Sequence, residues 1–192
     1  MANPAIYSTT TQSGIDVNNV FYLDTKTYPE YPAPPFLPGE LAWGTDGSEW
    51  VYCTASVSLG NGSVCIVSEV PGSWSVALIG GATIATAPTG DLLGVVSGST
   101  GTLLVGAPSG TQTGSFFWMQ RAGNCQALNC AASTTKDALL HSSATVAGQV
   151  TSTSGGTGTS YQLAGMVVSQ ATGSAAGPNT AILNYPAVGV TA

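Results

Sequence analysis

From Gly39 onward the chain consists of short runs of β-branched and aromatic residues separated by glycine, serine and asparagine. Glu40–Trp43 and Glu49–Cys53 flank a segment containing Asp46-Gly47, a dipeptide that strongly favours the tight turn of a β-hairpin. Because such runs recur at intervals of roughly 8–15 residues, the pattern predicts an all-β fold, either a β-barrel or a β-sandwich. The other predicted strands cover residues 63–67, 74–79, 92–96, 101–105, 115–120, 125–130, 144–150, 161–168 and 181–185.

Glycine also limits the helical content that this chain can reach. The 25 glycines interrupt nearly every stretch, and glycine disfavours a helix interior because it loses the most backbone freedom on folding. Only residues 81–87 and 134–141 leave a window open to a short helix. The sequence therefore predicts little or no helix.

Residues 1–38 differ from the rest of the chain because they combine prolines with aromatic residues. Tyr28–Pro38 cannot form a helix or a central strand, since its prolines fix φ and lack the backbone donor. We therefore expect an extended N-terminal arm over 1–38 and one β domain over 39–192. Aromatic anchors suit an arm that lies on a surface, of its own chain or of a neighbour. The candidate interface residues are Tyr7, Phe21, Tyr22, Tyr28, Tyr31, Phe36, Trp43 and Trp50.

Charged residues make up only 6% of the chain, against about 25% in an ordinary soluble domain. Three cations and nine carboxylates accompany a hydrophobic content of 43%. A surface with few charges loses little hydration energy when it is covered, because buried ions are costly unless they are paired. The composition therefore predicts a protein that packs against other protein.

The same composition excludes several classes of partner. With a net charge of −6 and three scattered cations, the chain lacks the basic patch that nucleic-acid binding needs. No apolar window is long enough to predict a membrane span. The first residues show neither the basic nor the apolar region of a secretory signal, so we expect synthesis in a cytoplasm.

The sequence offers little support for catalysis or for a bound cofactor. The one histidine, His141, lies four residues after Asp137 without a nucleophile motif. No spacing predicts a zinc or calcium site, so we expect no metal and no cofactor. The four cysteines are expected to be free thiols. Cys125 and Cys130 should point to opposite faces of a strand, whereas Cys53 and Cys65 could face each other if the register allowed it.

Trp43 and Trp50 lie on either side of the predicted Asp46-Gly47 turn and could form a cross-strand pair. Packing in a core or an interface is the simpler interpretation. The alternative is a platform for a sugar ring, which stacks on aromatic faces. The Gly/Ser/Thr tract at 151–160 is expected to be a solvated loop.

The C-terminal two-thirds of the chain resembles the small β-barrel decoration, or cement, proteins of tailed-phage heads. The resemblance is carried by an order of short phrases at Leu92–Val96, Phe116–Gly123, Cys130–Ala132, Lys136–Ser142, Ala147–Val150, Leu163–Gly165 and Ala181–Pro186. The hairpin region within 39–68 also looks like segments of phage virion proteins. The proline-rich arm departs from this pattern.

The resemblance implies a non-enzymatic protein of the virion that is made in the host cytoplasm and binds the capsid exterior. Its expected partners are the major capsid protein and further copies of itself, as a trimer or another small ring. Two alternatives stay open from the residues alone. One is a receptor- or glycan-binding virion module that uses Trp43, Trp50 or the 151–160 loop. The other is a main coat or tail-tube subunit.

Overall fold

The computed structural model describes Val17 and residues 34–44, 47–68, 74–80, 92–96, 116–154 and 160–191. Within these residues the chain forms β-strands and no helix, which confirms the predicted all-β class. The predicted strand at 101–105 and the window at 81–87 lie outside the described residues. The strands are β1 (Leu41–Trp43), β2 (Glu49–Ala55), β3 (Val64–Ser68), β4 (Ser75–Leu78), β5 (Leu93–Val95), β6 (Phe116–Cys130), β7 (Leu140–Ser142), β8 (Val150–Thr151), β9 (Tyr161–Val168) and β10 (Gly177–Thr191).

Five strands close into a β-barrel in the order β2, β4, β3, β5 and β6, with β6 pairing back to β2. The pairs are antiparallel except for β2 with β4, which run parallel. Alternate residues of each strand point inward. Val51 and Cys53 of β2 and Phe117 and Met119 of β6 accordingly lie in the same buried cluster, which forms the barrel interior.

A second half of the molecule is built on the same long strand. β6 pairs with β10, and the pairing continues through β9, β7 and β8 back to the end of β6 at Cys130 and Val150. Its core also receives Val64 of β3, whereas the next residue, Cys65, points into the barrel. β3 is therefore buried on both faces, which explains its continuous apolar sequence.

Two β-bulges let β6 serve both halves. In the first, Glu49 and Trp50 of β2 face Ala122 and Gln120, so that Arg121 is the extra residue. In the second, the register with β10 shifts between Asn179 and Ala181. A bulge adds one residue to one strand and so changes which side chains face a given core.

The bulges correct two expectations drawn from strict alternation. The predicted strands at 115–120 and 125–130 are one continuous strand, because the first bulge accommodates Arg121 as an extra residue and residues 122–125 then stay paired with β10. Cys125 and Cys130 lie in the same core cluster and not on opposite faces, because the second bulge lies between them.

Two other segments differ from their predicted form. Residues 134–139 form turns that lead into β7, because Ser133 and Asp137 adopt left-handed backbone with φ of 58° and 57°. Asp137 N–H instead donates to the carbonyl oxygen of Val168 at 3.1 Å. Most of 144–150 is also a turn, in which the Ser143 hydroxyl accepts from the Val146 N–H at 3.2 Å.

A third apolar cluster covers the outside of the barrel where β2 and β6 pair. It contains Trp50 and Trp118, and Phe36 packs against it with its ring centroid 5.1 Å from that of Trp118. Val17 is also buried there. Two residues of the predicted arm therefore pack on the barrel of their own chain.

All four cysteines are buried free thiols. Burial raises the pKa of Cys53 and Cys65 well above the ordinary thiol value. It raises that of Cys130 to about 12, with a smaller contribution from Cys125. Cys53, Cys65 and Cys130 therefore stay protonated at neutral pH, and because a thiolate is the reactive form, these three thiols are poor nucleophiles.

Gly62 provides a test of how tightly the two halves are joined. It has a φ of +80°, and its carbonyl oxygen accepts from the Asn129 N–H at 2.8 Å. A Cβ at Gly62 would overlap the carbonyl oxygen of Ala127, which belongs to β6. Gly47 has a similar φ of +79°, but nothing lies within 4 Å of its Cβ position.

We predict that Gly47→Ala lowers the free energy of unfolding by about 1–2 kcal/mol, the cost of left-handed backbone alone. Gly62→Ala should cost more than about 4 kcal/mol, because backbone cannot move aside as a flexible side chain can. Urea unfolding followed by circular dichroism measures both. Equal losses in the two variants would show that the contact with Ala127 is unimportant.

Phe36 provides a test of the arm. We predict that Phe36→Ala lowers the free energy of unfolding by about 2 kcal/mol, less than a fully buried phenylalanine would, because Phe36 is only partly buried. Leu37→Ala is the matched control, since Leu37 is 69% exposed and should change stability by less than about 0.5 kcal/mol. If both variants unfold at the same urea concentration, Phe36 contributes nothing to the folded chain.

Candidate functional site

The structure separates the predicted interface residues into three groups. Trp50 is 1% exposed and belongs to the core of its own chain, and Phe36 is partly buried against it. Trp43 is 50% exposed. The remaining candidates lie outside the described residues; they are Tyr7, Phe21, Tyr22, Tyr28 and Tyr31.

Trp43 and Trp50 do not form the cross-strand pair that their positions in the hairpin suggested. The β1–β2 register places Trp43 opposite Glu49 and Trp50 opposite Ala42, so the two indoles point to opposite faces. The Trp50 Nε1–H donates to the Ser48 hydroxyl at 3.1 Å. A platform made of these two indoles is therefore excluded.

Trp43 instead belongs to a group of four side chains, here called the seam cluster: Trp43, Glu49, Arg121 and Tyr185. The Trp43 Nε1–H donates to Glu49 Oε2 at 3.2 Å, and the Tyr185 hydroxyl donates to the same oxygen at 3.0 Å. The Arg121 guanidinium carbon lies 5.7 Å from the centroid of the Tyr185 ring, which is a cation–π distance. One carboxylate oxygen and one guanidinium thus hold two aromatic rings.

Backbone irregularities bring these four side chains together. Arg121 is the extra residue of the first β6 bulge. Tyr185 lies where the β10–β9 register shifts between Leu183 and Ala187, and it has a φ of 49°. Gly165 of β9 lies next to this part of β10, and a Cβ at Gly165 would lie 2.5 Å from the Asn184 carbonyl oxygen.

A further close contact joins Gly123 of β6 to the residue before Glu49. Gly123 has a φ of +88°, and a Cβ there would lie 2.7 Å from Cα of Ser48, the residue before Glu49. This close approach seats the start of β2 against β6. Bulges often re-aim side chains beside functional sites, and here two register shifts and a glycine contact meet at one point of the surface.

The exposed fractions distinguish the roles of these residues. Glu49 is 8% exposed, and among the described residues it is the only buried side chain with a formal charge. Tyr185 is 51% exposed. The carboxylate therefore acts as an internal support, whereas half of each aromatic side chain faces solvent. The Arg121 Nε–H is buried and has no hydrogen-bond partner in the described part of the chain.

The hydrogen bond from Tyr185 to Glu49 raises the pKa of the Tyr185 phenol, the nearby negative charge of Glu49 adds to this, and Arg121 opposes it. The neutral phenol is the form that donates this bond. The contribution of the bond to stability is present below the ordinary tyrosine pKa and is lost as the pH rises through the raised value.

Three of these residues were not identified from the sequence, although each had a signal. Arg121 is one of three cations in the whole chain and lies within an apolar run. Tyr185 precedes Pro186, and a proline inside a strand indicates a bulge or an edge. Glu49 is a carboxylate directly before the apolar run that starts at Trp50.

The seam cluster offers two half-exposed aromatic side chains, one carboxylate and one guanidinium. It holds no thiol, hydroxyl nucleophile or imidazole apart from the phenol of Tyr185. His141 lies on β7, opposite Thr151 and Gln162, and its buried Nδ1 has no partner among the described residues. No group of three or more His, Cys, Asp or Glu residues that could hold a metal occurs in the described ranges.

A second surface lies on the outer side of the β9–β10 sheet. Val167 and Ile182 are directly opposite each other in the register, and they are 40% and 52% exposed. Asn124 of β6 is exposed and stands opposite Ile182 on its other side. These three residues form the β9–β10 face. Residues 160–191 contain no Asp, Glu, Lys, Arg or His.

Comparison of the sequence with known protein families and with curated proteins gives no match in either. No helix in the described ranges has the length and apolar character needed to cross a membrane.

We predict that Glu49→Gln lowers the pKa of the Tyr185 phenol toward its ordinary value, because the substitution removes the negative charge and weakens the acceptor. The titration of ¹³C-labelled tyrosine by NMR measures this, with Tyr185→Phe used to assign the signal. Tyr52 is the internal control, since burial is the main cause of its raised pKa. A Tyr185 titration that Glu49→Gln leaves unchanged would contradict the hydrogen-bond geometry.

Proposed function

We propose that this protein is a non-enzymatic structural protein of a phage virion that binds the outside of the capsid and reinforces it. Its partners are the major capsid protein and other copies of itself, arranged as a trimer or another small ring. The β9–β10 face carries this proposal, because it combines exposed apolar side chains with a complete lack of charge over residues 160–191.

The physical argument concerns the cost of covering this face. When a partner covers Val167 and Ile182, the burial of their apolar surface contributes about 25 cal/mol of binding free energy per Å². Asn124 beside them is polar but uncharged, so no ion has to be desolvated when a partner covers the face. A permanent protein interface, which often exceeds about 2,000 Å² in total, is favoured by such a surface.

The all-β fold is compatible with the proposal but does not carry it, since one fold hosts many functions. The order of short phrases from Leu92 to Pro186 supports the phage-head assignment in particular. Binding only to the assembled shell would stabilise that shell by mass action, by about 2.7 kcal/mol per site at a hundredfold excess over the Kd. Many symmetry-related sites multiply the effect.

We predict that phage particles depleted of this protein assemble but rupture at a lower temperature, and that adding the purified protein restores the rupture temperature. The rupture temperature is measured by the binding of a dye to the released genome during a thermal ramp. Restoration should be equal at about 0.01 M and about 1 M salt, because a contact without charges is insensitive to screening.

Ile182→Asp should abolish the restoration, since it places an unpaired carboxylate in the contact. Val57→Asp, at another exposed apolar position in the turn after β2, is the matched control and should restore it fully. Depleted particles that are equally robust but fail to attach to cells would favour a receptor-binding module. Failure to form any shell would favour a main coat subunit.

A further inference from the structure

We propose that the seam cluster is a binding site for a neutral saccharide, with Trp43 and Tyr185 as the stacking surfaces. This inference is independent of the capsid role, since it concerns different residues from those of the β9–β10 face. It starts from the observation that two half-exposed aromatic side chains share one hydrogen-bond acceptor.

The shared acceptor determines what the two rings can offer to a ligand. An indole has a single hydrogen-bonding group, its N–H, and in Trp43 that group is already bonded to Glu49. The Tyr185 hydroxyl proton is bonded to the same oxygen. The exposed half of each side chain is therefore mainly ring carbon. Such π surfaces attract the weakly positive C–H groups that line the faces of a sugar ring.

The rings are also held in place before any ligand arrives. Trp43 is fixed by its bond to Glu49, and Tyr185 is held between Glu49 and the Arg121 guanidinium. A side chain that is already ordered loses little rotamer entropy on binding. This matters for saccharides, because weak stacking contacts give measurable affinity only when little entropy is lost.

The size of the cluster favours a small ligand over a protein partner. Both donors contact the same oxygen at 3.2 and 3.0 Å, so the polar tips of Trp43 and Tyr185 lie within about 6 Å of each other. The two aromatic side chains are therefore neighbours, and a single small ligand can contact both. A stable protein contact covers about 800 Å² on each partner.

Charge and nearby polar groups narrow the ligand further. Glu49 and Arg121 carry opposite charges, so the cluster has no net charge with which to attract an ion. Arg121 is only partly buried, and Asn184, next to Tyr185, is exposed. A guanidinium and a carboxamide both hydrogen-bond hydroxyl groups. These features select an uncharged, hydroxyl-rich ligand.

The test uses the full-length protein and a panel of neutral probes: the methyl glycosides of glucose, galactose, mannose and N-acetylglucosamine, and a linear oligosaccharide of each sugar. Binding is measured by saturation-transfer NMR for the methyl glycosides and by isothermal titration calorimetry for the oligosaccharides. We expect at least one oligosaccharide to bind, with its ring C–H protons receiving the strongest saturation.

The variants locate the site. Trp43→Ala and Tyr185→Ala should each weaken binding about tenfold or more, the loss of one aromatic contact. Tyr185→Phe retains the ring but loses the bond to Glu49, so it should weaken binding by less than Tyr185→Ala. Glu49→Gln, which retains an acceptor oxygen, should bind better than Glu49→Ala. Leu37→Ala, an exposed apolar control, should bind normally.

Circular dichroism and the unfolding midpoint confirm that each variant is folded before its binding is interpreted. The proposal is overturned if no neutral probe binds, or if binding survives both Trp43→Ala and Tyr185→Ala. Sialylated and sulfated oligosaccharides are titrated beside the neutral panel, and the proposal is also overturned if only these charged saccharides bind, because the site would then select a charge. None of these results bears on the capsid experiment, which uses Ile182.

Discussion

A single strand, Phe116–Cys130, has to present apolar side chains to two different cores, and a regular pleat cannot do this over its 15 residues. With strict alternation, the side of β6 that faces the barrel interior would remain the same side of the strand throughout the second half. The two bulges change the alternation, so that Phe117 lies in one core while Cys125 and Leu128 lie in the other. Barrel closure and the packing of the second half both depend on this change.

The seam cluster is a consequence of the same constraint. A bulge leaves one residue outside the regular pairing, and in the first bulge this residue is Arg121. β10 makes its own register shift close by, which exposes Tyr185 beside the guanidinium. The start of β2 then supplies Glu49, the carboxylate that joins the neighbouring aromatic residues. The surface feature that we interpret as a binding site thus lies where the regular sheet is interrupted.

The seam cluster lies where the sheet is irregular, whereas the low charge content has its effect on a regular part of the sheet. The outer side of β9 and β10 is formed by ordinary alternation, with Leu183 and Met166 inside and Ile182 and Val167 outside. Most proteins would place charged residues at such outward positions. Their absence here leaves a face that another protein surface can cover at little cost. The two candidate surfaces therefore differ in chemistry because one is irregular and the other is regular.

Local properties of the sequence determine the all-β class and most of the strands. Turn dipeptides, glycine content and runs such as Tyr161–Val168 act within a few residues, so they can be interpreted without knowledge of the fold. Which residues lie opposite each other on paired strands is decided only by the tertiary structure. The hairpin positions of Trp43 and Trp50 allow a cross-strand pair, but the register places Glu49 opposite Trp43. Glu49 meets Tyr185 across 136 residues of chain, and no local pattern encodes a contact that depends on two register shifts and on the closure of a barrel.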